Sequence, residues 1–523
     1  MLLQEVIMRH LIMSIDIGTT GCRTVIFDEK GRQVSQSYQE YQSIYLSSRW
    51  IDHDPKTWLQ ATQKTVKEAI KKLKHDRNCL SAIAVTSQRA TFIPVNKNGK
   101  PLDNAILWQD KRAIEETKHL MNEYGPKKVY DITGLRVDPY FTLPKLLWLK
   151  KNKTEIYNNT YFFLSVQDYI IHYLTGKFKT DWTQASRTML FNIDKLKWDK
   201  DFIKSVGIDF TKLPEAVPPG SIIGFVNRVV SEELNLPKGI PVIAAGGDQQ
   251  CAAVGLGVIK PGMVEVNTGT GSFVLADSDK PVKDIKQRLI CSASSIAGKW
   301  VLEAGIFTTG SIYRWFRDNF GEIEMETQRE SGIDAYKIMD SEAEKEPLGA
   351  NGLLLIPHFA ASAAPYWNPE ARGILFGLSL GHKRSSIIRA LLEGIAFEIQ
   401  KNINIMESYT DEIKEVRISG GITKSVLFNQ IQADIYGKIV VKTECNEASA
   451  LGAAVIAATT TGLYNNINSA VDNMINVNNL SRKEPNIENY KVYNELSKIH
   501  DSLYWSLEKA GIYNKMNDAM KLL

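Results

Sequence analysis

Residues 263 to 279, MVEVNTGTGSFVLADSD, read as a strand, a glycine turn, a second strand and a polar turn. Apolar and β-branched residues flank Gly269-Thr270-Gly271, and Asp277-Ser278-Asp279 close the unit. The same pattern stands near the start of the chain. There LIMSIDI, residues 11 to 17, passes through Gly18-Thr19-Thr20-Gly21-Cys22 into RTVIF and a second polar turn at residues 28 to 31. Gly18 and Gly269 are 251 residues apart in a chain of 523, about half its length. That spacing predicts two related domains in succession, residues 1–257 and 258–523, with a hinge around Lys260-Pro261-Gly262. Length alone points the same way, because single hydrophobic cores stop growing at roughly 250–300 residues.

Strand and helix signals alternate on both sides of that hinge. Asp54 before Pro55 is an N-cap followed by proline at the first helical position, opening an amphipathic helix to about Leu73. SAIAVTS, residues 81 to 87, restores strand character. In the second half a helix is expected over Phe307–Arg317, a strand LLLIP ends at Pro357, and a long helix runs from about Ser386 to Met406. VRISGG, 416 to 421, closes a strand on paired glycines and leads into a helix through Tyr436, and residues 444 to 462 hold a small-residue helix. The Asn- and Lys-rich tail from residue 464 reads as surface turns and a closing helix. The class is α/β.

Hydrophobic residues make up 44% of the chain and charged residues 23%, values of a folded globular protein. A net charge of +4 over so large a surface is no polyanion-binding signature, so nucleic acid is not an expected partner. The five cysteines are scattered without a CxxC pair, which suits reduced thiols in structural roles. Residues 1–17 carry Glu5, Arg9 and His10 with no small-residue cleavage site, and no apolar run reaches the ~18 residues of a membrane span. A cytoplasmic protein without a membrane partner is expected.

A glycine hairpin turns backbone N–H groups into a concavity that suits phosphate oxygens, and Thr19, Thr20 and Thr270 add hydroxyls. One such loop is equally a tight turn; two in equivalent places favour phosphate. GITKS at 421 to 425 lacks the glycine that a Walker loop needs before Lys424. The Gly420-Gly421 pair and Gly310-Ser311 are places where a base or ribose can approach the backbone, or plain turns. In IPVIAAGGDQQCAAVGLG, residues 240 to 257, Asp248 follows an apolar strand. It reads either as the N-cap of a helix starting at Gln249 or as a general base or metal-positioning acid. Arg89, Trp108 and Tyr140 close other strand-like or turn segments and are groups that suit a polyol: aromatic walls for carbon, charges for hydroxyls. No HExxH or comparable histidine spacing marks a protein-bound metal.

Taken in order, SIDIGTTGCRTVIFD, NAILWQDKR, DPYFTLPKLLWL, QASRTMLFNI, GGDQQ, TGTGSF, APYWNPEARGILFGLSLG and ASALGAA resemble the FGGY family of carbohydrate kinases, most closely its glycerol kinase branch. The resemblance runs from about Ile12 to about Gly462. It implies two duplicated domains of the actin, Hsp70 and sugar kinase type, ribonuclease H-like, with ATP and Mg²⁺ at an interdomain cleft. It further implies that Gly18, Thr19, Thr20, Arg23, Thr270 and Gly271 face the ATP phosphates, that Gly310, Arg314, Gly421 and Ser425 fall at the nucleoside, and that Asp16 helps to hold the hydrated metal. Asp248 matches the catalytic base. Arg89, Trp108, Tyr140, Asp248, Gln249 and Phe273 match acceptor-binding positions. Two positions depart from glycerol kinases, which carry Gln where this chain has Arg314 and Glu where it has Ala90. The activity implied is phosphorylation of a primary hydroxyl of a small polyol or ketose, with glycerol, xylulose, ribulose or a tetritol as candidates. A homo-oligomer, dimer or tetramer, is expected. A non-catalytic sugar or nucleotide sensor on the same fold is the alternative of another class.

Overall fold

The computed structural model describes residues 10–73, 76–443, 447–476 and 481–522. The expectations for the first nine residues and for Cys445 lie outside the described residues. The chain forms two compact units: Met1–Ile259 with Asp277–Val301 and Glu447–Asn476, and Lys260–Ala276 with Leu302–Asn446 and Val477–Leu523.

The first unit is built on a six-stranded sheet of β1 (Leu11–Ile17), β2 (Gly21–Phe27), β3 (Gln33–Glu40), β4 (Leu80–Ser87), β5 (Ile222–Phe225) and β6 (Pro241–Gly247). The strand order is β5-β6-β4-β1-β2-β3. β1 forms an antiparallel hairpin with β2 and pairs in parallel with β4, which pairs in parallel with β6. Apolar residues run almost without a break through β1 because both faces of the sheet are covered, as parallel pairing requires. Helix α1 (Pro55–Leu73) packs on β2 and β3, and the Ala448–Thr460 helix packs on β1 and β4. The expected cap is present: Asp54 Oδ1 accepts from the Lys56 N–H at 3.0 Å. Between β4 and β5 a second core gathers around Phe92, Leu120, Phe141, Leu146, Leu190 and Phe202, and it carries helix α2 (Thr142–Asn152).

β6 runs into helix α3 (Asp248–Gly255), which lies directly on the Ala448–Thr460 helix. The contact is backbone to backbone. A Cβ on Gly452 would overlap the Cys251 carbonyl, and one on Gly255 would overlap the Ala448 carbonyl. This explains why the later helix is so rich in alanine and glycine: any larger side chain on that face would lift α3 off its support.

In the second unit β7 (Met263–Thr268), β8 (Ser272–Ser278), β9 (Trp300–Ile306), β10 (Glu415–Ser419) and β11 (Ile439–Lys442) follow the order β9-β8-β7-β10-β11. β7 and β8 form an antiparallel hairpin, and β7, β10 and β11 pair in parallel. This repeats the arrangement β3-β2-β1-β4-β6 of the first unit, so the duplicated α/β fold expected from the two hairpins is present. Helix α4 spans Gly310–Phe320, three residues later at each end than expected, because Phe307–Thr309 form the turn that meets the β7–β8 loop. Helices α5 (Arg384–Glu407) and α6 (Val426–Tyr436) match the expected positions.

The tail differs from its expected form of turns and one helix. Beyond the Ile467–Met474 helix come α7 (Ile487–Lys509) and α8 (Ile512–Met520), with Tyr493, His500, Tyr504 and Tyr513 buried. Its polar composition hid a sparse row of aromatic anchors. Cys22, Cys251 and Cys291 are buried free thiols, pushed up to about 11 or 12 by burial and therefore held protonated. Gly452→Ala is expected to destabilise the chain by about 1–3 kcal/mol, the usual effect of overpacking. Urea unfolding checks this, and an unchanged midpoint would contradict the backbone contact.

Candidate active site

Three parallel strands of the first unit end side by side: Asp16 pairs with Thr86 and Ile17 with Ser87 across β1 and β4, and Gly247 pairs with Ser87 across β6 and β4. The segments just beyond these strand ends make up the candidate site. After β1 comes the Gly18–Thr20 turn, after β4 come Gln88, Arg89 and Ala90, and after β6 comes Asp248. Open α/β sheets bind ligands beyond such carboxyl ends.

Asp248 is the first residue of α3 and Gly247 precedes it, so the reading of Asp248 as the cap of a helix starting at Gln249 is not what forms. Its Oδ1 accepts from the Gln249 N–H at 2.8 Å and lies 3.4 Å from Nε of Arg89. Arg89 is buried and also donates to Gln250 Oε1 at 3.1 Å, which gives the third residue of the Asp-Gln-Gln run a role the sequence left unassigned. A Cβ on Gly247 would strike the Arg89 stem, so the glycine is needed for this approach. The strand end itself is fixed by buried polar groups. Gly246 N–H donates to Gln167 Oε1 at 3.2 Å, Gly247 N–H donates to Thr183 Oγ1 at 2.7 Å, and Asp181 accepts from both Gln167 and Thr183. No local pattern marked these three residues in advance.

Trp108 and Tyr140 stand as a wall, ring centroids 5.3 Å apart at 57°. Trp108 Nε1 donates to Thr19 Oγ1 at 3.0 Å, and the Thr19 hydroxyl donates to Gln88 Oε1 at 3.3 Å. The hydroxyl expected to serve phosphate is therefore engaged within the first unit, tying the glycine turn to the aromatic wall. Thr20 is exposed. Arg23, one strand over, forms an ion pair with Glu447 and lies 4.8 Å over the Tyr38 ring. Oε1 of Gln249 has no hydrogen-bond partner among the described residues.

Asp16 has the most perturbed chemistry of the group. Burial, reinforced by the nearby charge of Asp248 and opposed by Arg23, pushes its carboxyl up to about 7. Its Oδ1 is out of reach of solvent and lacks a hydrogen-bond partner among the described residues. A carboxylate oxygen left in that state fits a divalent cation. Among the described residues no group of three or more His, Cys, Asp or Glu side chains is placed to hold a metal ion.

In the second unit the β7–β8 turn is locked by its neighbours. Gly269 N–H donates to Gly271 O at 2.9 Å, and the Thr270 carbonyl accepts from the Thr309 and Ser311 N–H groups at 3.1 Å each. A Cβ on Gly271 would overlap the Ile306 carbonyl, one on Gly310 the Gly269 carbonyl, and one on Gly420, whose φ is +96°, the Thr268 carbonyl. The sequence-selected glycines thus converge on one turn. Gly421 is exposed with open space at its Cα, and Arg314 is exposed on α4. Ser425 is buried, capping α6 by accepting from the Phe428 N–H at 3.0 Å. Phe273 is half-buried on β8.

Among the described residues no helix is long and apolar enough to cross a membrane. The N-terminal domain of the FGGY family of carbohydrate kinases matches residues 11–255, and its C-terminal domain matches residues 264–461. The chain is 36% identical over 456 residues to the glycerol kinase of Thermococcus onnurineus (strain NA1), covering 86% of this chain and 89% of that enzyme. Plasmodium falciparum glycerol kinase, solved with ADP, superposes with a TM-score of 0.84 at 28% identity, over 95% of this chain and 98% of that one. A xylulose kinase from Lactobacillus acidophilus shares the fold with a TM-score of 0.89 at 24% identity, over 97% of this chain and 100% of that one.

The raised Asp16 carboxyl has a measurable consequence. The folded chain holds this proton up to about 7 whereas the unfolded chain releases it near 3.8, so the native state loses stability as pH rises through that window. Asp16→Asn removes the effect. The stability of the variant relative to the native chain, from urea unfolding without added metal, is expected to grow between those two pH values and level off above. A difference independent of pH would show that the carboxyl is not strained.

Proposed function

The chain belongs to the FGGY family of carbohydrate kinases, a phosphotransferase with an alcohol group as acceptor, and we propose that Asp248 is its general base and a small polyol or ketose its acceptor. The observation that carries this is the Asp248–Arg89 pair at the ends of β6 and β4, beside the Trp108–Tyr140 wall. In this reading the aromatic wall takes the acceptor's carbon skeleton, and Arg89 and Gln249 bind its hydroxyls. Asp248 accepts the proton of the terminal hydroxyl as that oxygen attacks the γ-phosphorus of ATP. The bond to the β,γ-bridging oxygen breaks and ADP leaves. Burial of Arg89, 3.4 Å from Asp248 Oδ1, fits it to orient that carboxylate.

The ATP phosphates are ascribed to the glycine turns, through Gly18, Thr19, Thr20, Thr270 and Gly271, and the nucleoside to Gly310, Gly421, Arg314 and Ser425. Asp16 is the residue suited to Mg²⁺, which would offset phosphate charge when bound.

Ala90 disfavours glycerol as the acceptor. It is buried and stands where glycerol kinases carry Glu. Loss of a charged hydrogen bond there lowers glycerol affinity by about 10- to 100-fold. ADP release with Mg-ATP across glycerol, erythritol, xylulose, ribulose and gluconate tests both parts. Asp248→Asn is expected to lower turnover by about 10²- to 10⁴-fold, and Ala90→Glu to improve glycerol use. If no acceptor stimulates ADP release, or the Asn variant keeps full rate, the reading fails.

A further inference from the structure

Lys145 is wholly buried on the first turn of α2, in the apolar run TLPKLLWL. Its Nζ donates to three backbone carbonyls, those of Ala90, Leu107 and Tyr140, each at 2.9 Å. An ammonium has three N–H donors and no acceptor, so these bonds use its whole capacity. The three carbonyls come from three separate parts of the second core of the first unit. Each adjoins a group of the acceptor site: Ala90 follows Arg89, Leu107 precedes Trp108, and Tyr140 carries its own ring.

Burial works against a charge in this position and draws the amine down to about 7, while Asp110 and Asp138 favour the charged form and Arg112 opposes it. A leucine or methionine would fill the volume without that penalty. What the lysine supplies instead is convergence. Ala90 has φ of +59°, outside the comfortable range of a residue with a Cβ, so its loop is held in that shape by contacts from elsewhere. The Ala90 carbonyl bond to Lys145 is one of them. Trp108 N–H donates to Thr91 Oγ1 at 3.1 Å, which ties the first two segments side by side. The third, Tyr140, is fixed to both through the ammonium.

We propose that Lys145 is a positioning residue of the acceptor site: its ammonium sets Arg89, Trp108 and Tyr140 relative to one another without touching the acceptor. The proposal rests on the reading of those side chains as the acceptor site. Its signature is a change in acceptor recognition separated from nucleotide recognition. A small shift of positioned groups is enough for about 10²-fold effects.

The experiment is steady-state kinetics of the full chain, native and Lys145→Met, with the best acceptor of the five-compound panel. KM for the acceptor is expected to rise about 10- to 100-fold while KM for ATP stays within about twofold. An unchanged acceptor KM, or equal shifts for acceptor and ATP, overturns the proposal. Should the Met variant not fold, hydrogen exchange of the native chain decides. Saturating acceptor is expected to slow exchange together in residues 89–92, 107–110 and 138–145, and protection confined to one of these segments overturns it. If native protein shows no acceptor-stimulated turnover, the reading of the site fails; if turnover is normal and only the Lys145 signature is missing, this inference alone fails.

Discussion

Parallel pairing of β1, β4 and β6, with a register shift between Ala244 and Gly246 of β6, is the constraint on which the arrangement at these strand ends depends. Because Asp16 lies opposite Thr86, and Ser87 opposite both Ile17 and Gly247, β1, β4 and β6 run out at the same level of the sheet. Three unrelated stretches of sequence are thereby delivered to one edge by main-chain hydrogen bonds, before any side chain takes part. A slip of one residue in any of the three strands would turn its end group to the opposite face. The small residues at the ends reflect the same crowding. Gly246, with φ of +127°, and Gly247, against the Arg89 stem, occupy places where a Cβ has no room.

That convergence brings like charges together, and the surroundings separate their roles. Asp248 has Arg89 beside it, a buried cation that is itself bonded to Gln250. Asp16 has no comparable partner at Oδ1 and is pushed up to about 7 by burial and by Asp248. One carboxylate has a buried cation beside it, and the other keeps an unpartnered oxygen among the described residues. In the proposed reading, metal and acceptor chemistry are divided between the ends of two strands that do not pair with each other but both pair with β4. The rigid element between them is the turn Gln88–Thr91, bonded to Gly18, Thr19 and Trp108.

Local patterning made the architecture legible. Two glycine hairpins at half-chain spacing showed the duplication, and Asp54-Pro55 showed where α1 begins. The carboxylate after an apolar strand marked Asp248. Other features lay beyond that reach for physical reasons. Lys145 sits in a stretch whose neighbours Lys150 and Lys151 are ordinary exposed lysines, and its partners are backbone carbonyls up to 55 residues away, which leave no trace in residue type. The tie of Thr19 to Trp108 spans 89 residues and was equally invisible. The tail looked like turns because its buried tyrosines are spaced by nine to eleven residues, too sparse to register as a periodic stripe. In each case the missing information is a long-range contact.

Ala90 shows how recognition and catalysis can be uncoupled in such a site. Its backbone is determined from outside: Lys145 holds its carbonyl, and Gln88 and Thr91 on either side are bonded to Gly18 and Trp108. The left-handed conformation costs roughly 1–2 kcal/mol for a residue with a Cβ, and these contacts maintain it. In the proposed reading, exchanging a carboxylate for a methyl group at that point changes what hydroxyls can be bound while leaving Arg89, paired with Asp248, where it is. Acceptor preference is, in that reading, set at position 90 and proton acceptance at position 248, with the Lys145 ammonium holding the main chain at position 90.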